Sequence, residues 1–120
     1  MTGARDASLR LRDMLDAVEK ILGRSTSGRA AFLADEMLQV WVIHHLEIIG
    51  EAAANVDRRV KESFPEVDWI AAAYTRNRLV HGYYDVNLEI VWKTVERDIP
   101  TLRDQLVAIL QAITEGEDGP

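Results

Sequence analysis

Two arginines, a histidine and a tyrosine fall within one eight-residue stretch, Arg76-Asn77-Arg78-Leu79-Val80-His81-Gly82-Tyr83. Arginine offers a planar, permanently charged fork that matches a phosphate. Histidine gives and takes protons near neutral pH. Together they hold what RNA cleavage without a metal requires. A base removes the ribose 2′-OH proton, a cation stabilises the pentacoordinate phosphate, and an acid protonates the leaving oxygen. The same residues also read as an ordinary helix end, with Arg at the surface, His as a capping donor and Tyr in the core.

Helix geometry constrains the catalytic reading. Arg76 and His81 lie about 140° apart around an ideal helix. Asn77 is near-aligned with His81 at i, i+4, and Arg78 neighbours it at i, i+3. Arg76 therefore reaches a shared site by its length, by a helix that unwinds near Gly82, or across a two-fold axis. The last two together fit best. Asn77 is then an orienting or phosphate-contacting group, or a partner for a helix-end carbonyl. Arg78 is a rim phosphate contact or a solvated charge.

Other chemistry is poorly supplied. The chain has no cysteine, which excludes disulfides, thiol nucleophiles and thiolate metal sites. It has no phosphate-binding glycine loop and no nucleophile elbow. Adjacent His44 and His45 point about 100° apart on a helix and cannot share a ligand face. His44, Glu47 and Glu51 share a face but lack a fourth ligand, so no metal is assigned. Arg58-Arg59-Val60-Lys61 reads as a solvated helix end favoured by the C-terminal dipole, or a weak phosphate patch.

Composition bounds the rest. The chain has 120 residues, 48% hydrophobic and 28% charged, which describes one globular domain. Twenty acidic residues against fourteen basic ones give a net charge of −6. That balance argues against a duplex-coating protein but allows a small local phosphate site. No apolar run reaches membrane-span length, and Met1 to Leu15 carries no signal-peptide pattern. A cytoplasmic protein with no membrane association is expected.

Apolar periodicity divides the chain into helices. The first is predicted over Ala7 to Leu22, with Gly23 as its stop and Ser27 as a possible cap for the next. The second is predicted as one long helix, Arg29 to Val60, ended by Phe64-Pro65. It carries two stripes. Phe32, Leu33, Met37, Val40, Trp41, Ile48 and Ala52 form one; Leu38, Val42, Ile49, Ala53 and Val56 form the other. An apolar arc this wide suggests a central helix, or one that also serves an oligomer interface. The third is capped by Asp68 and ends near Gly82. The fourth, Leu88 to Ile113, repeats Leu88, Val91, Val95, Ile99, Leu102, Leu106, Ile109 and Ile113 like a bundle seam. Pro100 should kink it or start a new segment. Trp69 and Trp92 read as core. The fold class is an all-α bundle of four to five helices: one domain over residues 1–114, then an acidic flexible tail over 115–120.

The Arg-x4-His-x-Tyr pattern of Arg76, His81 and Tyr83 resembles the HEPN superfamily, and within it the HepT-like toxins, the DUF86 family. The flanks fit as well. Ile49-Gly50-Glu51-Ala52-Ala53 is similar to that family's Gly-Glu-Ala segment. Phe64-Pro65 with Trp69 precede the motif, and Tyr84-Asp85-Val86-Asn87-Leu88-Glu89-Ile90-Val91-Trp92 follows it.

The resemblance implies a HEPN-type bundle forming a two-fold homodimer. It implies a metal-independent, cofactor-free endoribonuclease in a prokaryotic cytoplasm, the toxin of a type VII-like toxin–antitoxin pair. Arg76 and His81 of both protomers would face a cleft on the dimer axis, with RNA, such as a tRNA or mRNA, as substrate. The implied partner is a minimal nucleotidyltransferase antitoxin that transfers AMP to Tyr83. The alternative is a non-catalytic helical dimer that scaffolds the nucleotidyltransferase. Glu51 faces an undetermined direction, either toward Arg76 or His81 or toward solvent.

Overall fold

In a computed structural model, which describes residues 2–73 and 87–117, every element is helical. The expected all-α class is therefore observed. Helix α1 runs Thr2–Arg24, five residues earlier than the periodicity begins. Leu11, Met14, Val18 and Ile21 bury one stripe of it completely. That stripe packs between α3 (Glu36–Ala54) and α7 (Ile99–Glu117).

The predicted long second helix is three separate helices. Helix α2 spans Arg29–Ala34, α3 follows, and α4 spans Arg58–Ser63. The first break has a local cause. Asp35 adopts extended backbone and its carboxylate accepts from Leu38 N–H, capping α3. The Gln39 amide donates to the carbonyls of Phe32 and Leu33, closing the end of α2. Asp57 caps α4 in the same way, accepting from Arg59 N–H. Polar side chains that compete for backbone groups override a continuous apolar pattern here. Ser27 does not cap α2; Gly28 holds that position with φ 91, in the left-handed region that favours glycine.

The second break also corrects the Arg58-Arg59-Val60-Lys61 reading. Arg58 and Arg59 open α4 rather than close a helix, so the C-terminal dipole does not favour them, while Lys61 lies in the last turn of this short helix as expected. Arg58 and Arg59 are exposed, Val60 packs against the core, and Arg58 pairs with Glu62 one turn on.

Asp68 caps a further helix, α5, whose opening is residues 69–73; its carboxylate accepts from Ala71 N–H. After residue 87 the chain forms one long rod. Helix α6 (Leu88–Lys93) passes into a π-helical turn, Thr94–Asp98, and then into α7. The widened turn lies just before Pro100, where the missing N–H and the ring would break a regular ladder. Ile99 N–H instead reaches back five residues to the Thr94 carbonyl. Pro100 is thus absorbed without ending the rod. The expected seam is intact across it. Val91, Val95, Ile99, Leu106 and Ile109 are buried, while Leu88, Leu102 and Ile113 pack at its margin. Helicity continues to Glu117, past the last periodic residue. Among the described residues no helix is long and apolar enough to cross a membrane.

Candidate functional site

Arg76, Asn77, Arg78, His81 and Tyr83 lie outside the described residues. The structure defines the two anchors from which the segment 74–86 departs.

The upstream anchor is built at the end of α4. Phe64 caps that helix, and its carbonyl accepts a hydrogen bond from Trp69 Nε1 at 3.0 Å. Val67 and Trp69 are buried beside it, as expected of Trp69. The Gln105 amide of α7 donates to the Glu66 carbonyl at 2.9 Å. This turn is therefore fixed to α7 before α5 begins. A cavity of about 400 Å³ lies beneath it, floored by Leu46, Ile49, Ile99 and Leu102. Glu66, Asp68 and Asp98 rim that cavity. Among the described residues these three carboxylates make the rim acidic.

The downstream anchor is Asn87 and the first turn of α6. The Asn87 side-chain oxygen accepts from Glu89 N–H at 3.0 Å and Ile90 N–H at 3.3 Å. Glu89 then pairs with one edge of the Arg29 guanidinium, with Arg29 Nε donating to Oε2 at 3.0 Å and Nη2 to Oε1. The hydrogen bond from Arg29 holds the Glu89 carboxyl below its ordinary range, and the same contact raises the Arg29 guanidinium. Behind this pair the Phe32 and Trp92 rings meet at 5.5 Å, so α2 is locked to α6 by charge outside and aromatics inside. Trp92 is buried as expected, but its Nε1 has no hydrogen-bond partner among the described residues.

The other candidates sort clearly. His44 is exposed and His45 is buried, with Nδ1 against the Trp41 carbonyl at 2.7 Å. That separation follows from their adjacency on one helix. Among the described residues no group of three His, Asp or Glu side chains converges as a metal site. Glu51 is exposed on α3, flanked by buried Gly50, Ala52 and Ala53. Arg29 is the residue that sequence reasoning missed. Its partner lies sixty positions away, and no local pattern marks it.

Fold and anchors define the class: an all-α bundle in which two capped turns bracket a short basic segment carrying Arg, His and Tyr. The chain belongs to the ribonuclease HepT-like family, whose profile matches residues 14–109 and so includes the whole motif. A protein of Thermococcus cleftensis named probable ribonuclease HepT is 44% identical over 72 residues, 60% of this chain and 66% of that protein. A protein of Caldanaerobacter subterraneus, provisionally named an RNase, is 36% identical over 94 residues, 78% of this chain and 81% of its own length. A Methanocaldococcus jannaschii protein, named a gamma-glutamylcyclotransferase and provisionally an RNase, is 28% identical over 116 residues. The chain spans just under two thirds of the Thermococcus relative and about half of the Methanocaldococcus one. No solved structure matches the chain significantly.

Proposed function

We propose that this chain is an endoribonuclease toxin that works as a two-fold homodimer through Arg76 and His81. The observation that carries the reading is the coincidence of the family match over residues 14–109 with an intact Arg76, His81 and Tyr83. The exposed apolar stripe of α3 supports the dimer. Met37 is 83% and Val40 45% exposed, although the sequence assigns both to an apolar stripe.

In this scheme one His81 takes the 2′-OH proton and the 2′-oxygen attacks the adjacent phosphorus. Arg76 and Arg78 carry the charge of the pentacoordinate phosphate, and Asn77 orients it. The P–O5′ bond breaks, the second protomer's His81 protonates the leaving oxygen, and a 2′,3′-cyclic phosphate remains beside a 5′-OH end. The reaction needs neither metal nor cofactor. A minimal nucleotidyltransferase antitoxin controls it by transferring AMP to Tyr83. A cellular RNA such as a tRNA or mRNA is the substrate.

The test is cleavage of total RNA by the purified protein. His81→Ala should lower the rate by about 10²–10⁴. Wild-type protein that leaves RNA intact would sink the activity. Equal cleavage by His81→Ala would sink the assignment of His81.

A further inference from the structure

We infer that Lys20, Arg24 and the hydroxyls of Thr26 and Ser27 form a phosphate-binding site for the RNA substrate at the turn between α1 and α2. This deepens the ribonuclease reading proposed above and rests on it.

The chain carries a net charge of −6, so its overall field does not draw RNA in. Affinity must come from cations placed where a phosphate can reach them. Lys20 and Arg24 stand one helical turn apart on α1, both exposed among the described residues. With Thr26, Ser27, Asp35 and Trp41 they line one pocket of about 780 Å³.

Local structure builds this pocket. Ser25 Oγ donates to the Ile21 carbonyl at 2.6 Å and closes the end of α1. Gly28 N–H returns to the Ser25 carbonyl at 3.4 Å, and the left-handed backbone of Gly28 completes the turn. Thr26 and Ser27 are its two central residues. Both are exposed, and their hydroxyls have no hydrogen-bond partner among the described residues.

Arg24 is held in place without spending its donors. Its guanidinium lies over the Trp41 ring, 5.2 Å from the centroid, and the His45 ring packs against the same indole at 4.1 Å. This cation–π contact positions the planar fork and leaves its N–H groups for an anion. Among the described residues no carboxylate pairs with Arg24, whereas Arg29, Arg58 and Arg103 each have one. Lys20 pairs with Asp16 at 3.0 Å, but both side chains are more than half exposed. Such a pair is weak, and a phosphate oxygen can replace the carboxylate at little cost. Asp35, the acid of the pocket, is turned back to Leu38 N–H. A guanidinium, an ammonium and two hydroxyls match the oxygens of a phosphodiester. The location suits an RNA contact as well. Ser27 is two residues before Arg29, which holds Glu89 where the chain re-enters the bundle after the motif segment.

The test is binding of a fluorescein-labelled, single-stranded 2′-O-methyl oligoribonucleotide, which lacks the attacking hydroxyl, to the full chain. Arg24→Ala should weaken binding about tenfold and flatten the dependence of log affinity on log salt by about 0.7, the loss of one single-strand phosphate contact. Lys20→Ala should act in the same direction, and the double variant should flatten the slope by about twice as much. Arg24→Lys should keep the slope and recover part of the affinity. Arg10→Ala, about 21 Å away along α1, should change neither. With unmodified RNA, Arg24→Ala should raise KM and leave kcat unchanged, because the contact binds substrate and takes no part in the bond changes. Both cations are exposed on a helix surface, so the variants should keep the fold, which circular dichroism checks. An unchanged slope in Arg24→Ala, an equal loss in Arg10→Ala, or no binding of the oligoribonucleotide by wild type overturns the site. If wild type nevertheless cleaves RNA, the ribonuclease reading stands. An Arg24-dependent slope with no cleavage by wild type overturns that reading and leaves the site standing.

Discussion

Arg29 and Glu89 form a bidentate ion pair between two helices that are remote in sequence, one residue opening α2 and the other in the first turn of the rod that follows the motif segment. Both side chains are about half exposed, so solvent screens the pair and its share of stability is small. Its geometric role is larger: it fixes where the chain re-enters the bundle after residue 86.

Arg29→Ala should lower the melting temperature slightly, and the charge swap Arg29→Glu with Glu89→Arg should recover part of it. The pH dependence has a definite sign. Folding depresses the Glu89 carboxyl, so the pair contributes fully above the ordinary carboxylate range and is lost as pH falls through the folded value. The difference between wild type and Arg29→Ala should therefore shrink from about pH 7 to about pH 3. Thermal melts at both pH values measure it, and a difference that grows in acid would contradict the assignment.

Asp35 separates α2 from α3 by capping Leu38 N–H. Asp35→Ala should cost about 1 kcal/mol in urea unfolding. Asp35→Asn and Asp35→Ser should be nearly neutral, because both retain the cap acceptor. Equal loss in all three would show that the carboxylate charge, not the cap, matters.

Trp92 tests the core behind the ion pair. Its ring packs on Phe32 while its Nε1 has no acceptor among the described residues. Trp92→Phe keeps an aromatic contact and removes the orphaned donor, so it should cost well under the ~3–5 kcal/mol expected for Trp92→Ala. Chemical denaturation of the two variants provides the comparison.

Arg76→Lys should rescue cleavage poorly compared with wild type, because a point charge replaces the planar fork. Cleavage should survive EDTA and leave 2′,3′-cyclic phosphate ends. Products bearing 5′-phosphates, read by end-labelling, would refute the 2′-OH scheme.

Tyr83→Phe should still cleave RNA and should escape AMP transfer by the nucleotidyltransferase. On the proposed reading, an AMP group there would add a phosphodiester anion able to pair with Arg76 or Arg78 and would block the site by its bulk. Intact-mass spectrometry after incubation with the antitoxin and ATP measures it. Modification of Tyr83→Phe, or of Tyr74 or Tyr84 instead, would overturn the assignment.

Much of this molecule was legible in one dimension. The seam from Val91 to Ile109 and the stripe from Leu11 to Ile21 follow from the 3.6-residue period alone, because a helix must bury one face to be stable. Asp68 as a cap, Phe64-Pro65 as a stop and Trp69 and Trp92 as core follow from residue chemistry that acts locally. The motif, Arg76 with His81 and Tyr83, was legible for the same reason: its signal is residue type at fixed short spacing.

What the sequence left open was in part local capping and in part contacts between distant residues. Periodicity joined Arg29 to Val60 into one helix, since an apolar stripe does not register where Asp35 and Asp57 turn their carboxylates back on the chain. It gave both α3 stripes equal standing; only packing against α1 showed that one is core and that Met37, Val40 and His44 face outward. Pro100 marks the place of the π-helical turn but not its form, and the Arg29–Glu89 clamp carries no local mark, because it exists only once the fold brings two distant helices together. Local chemistry and period determined which helices form and which residues could act; long-range packing decided which faces are spent and where the motif segment is anchored.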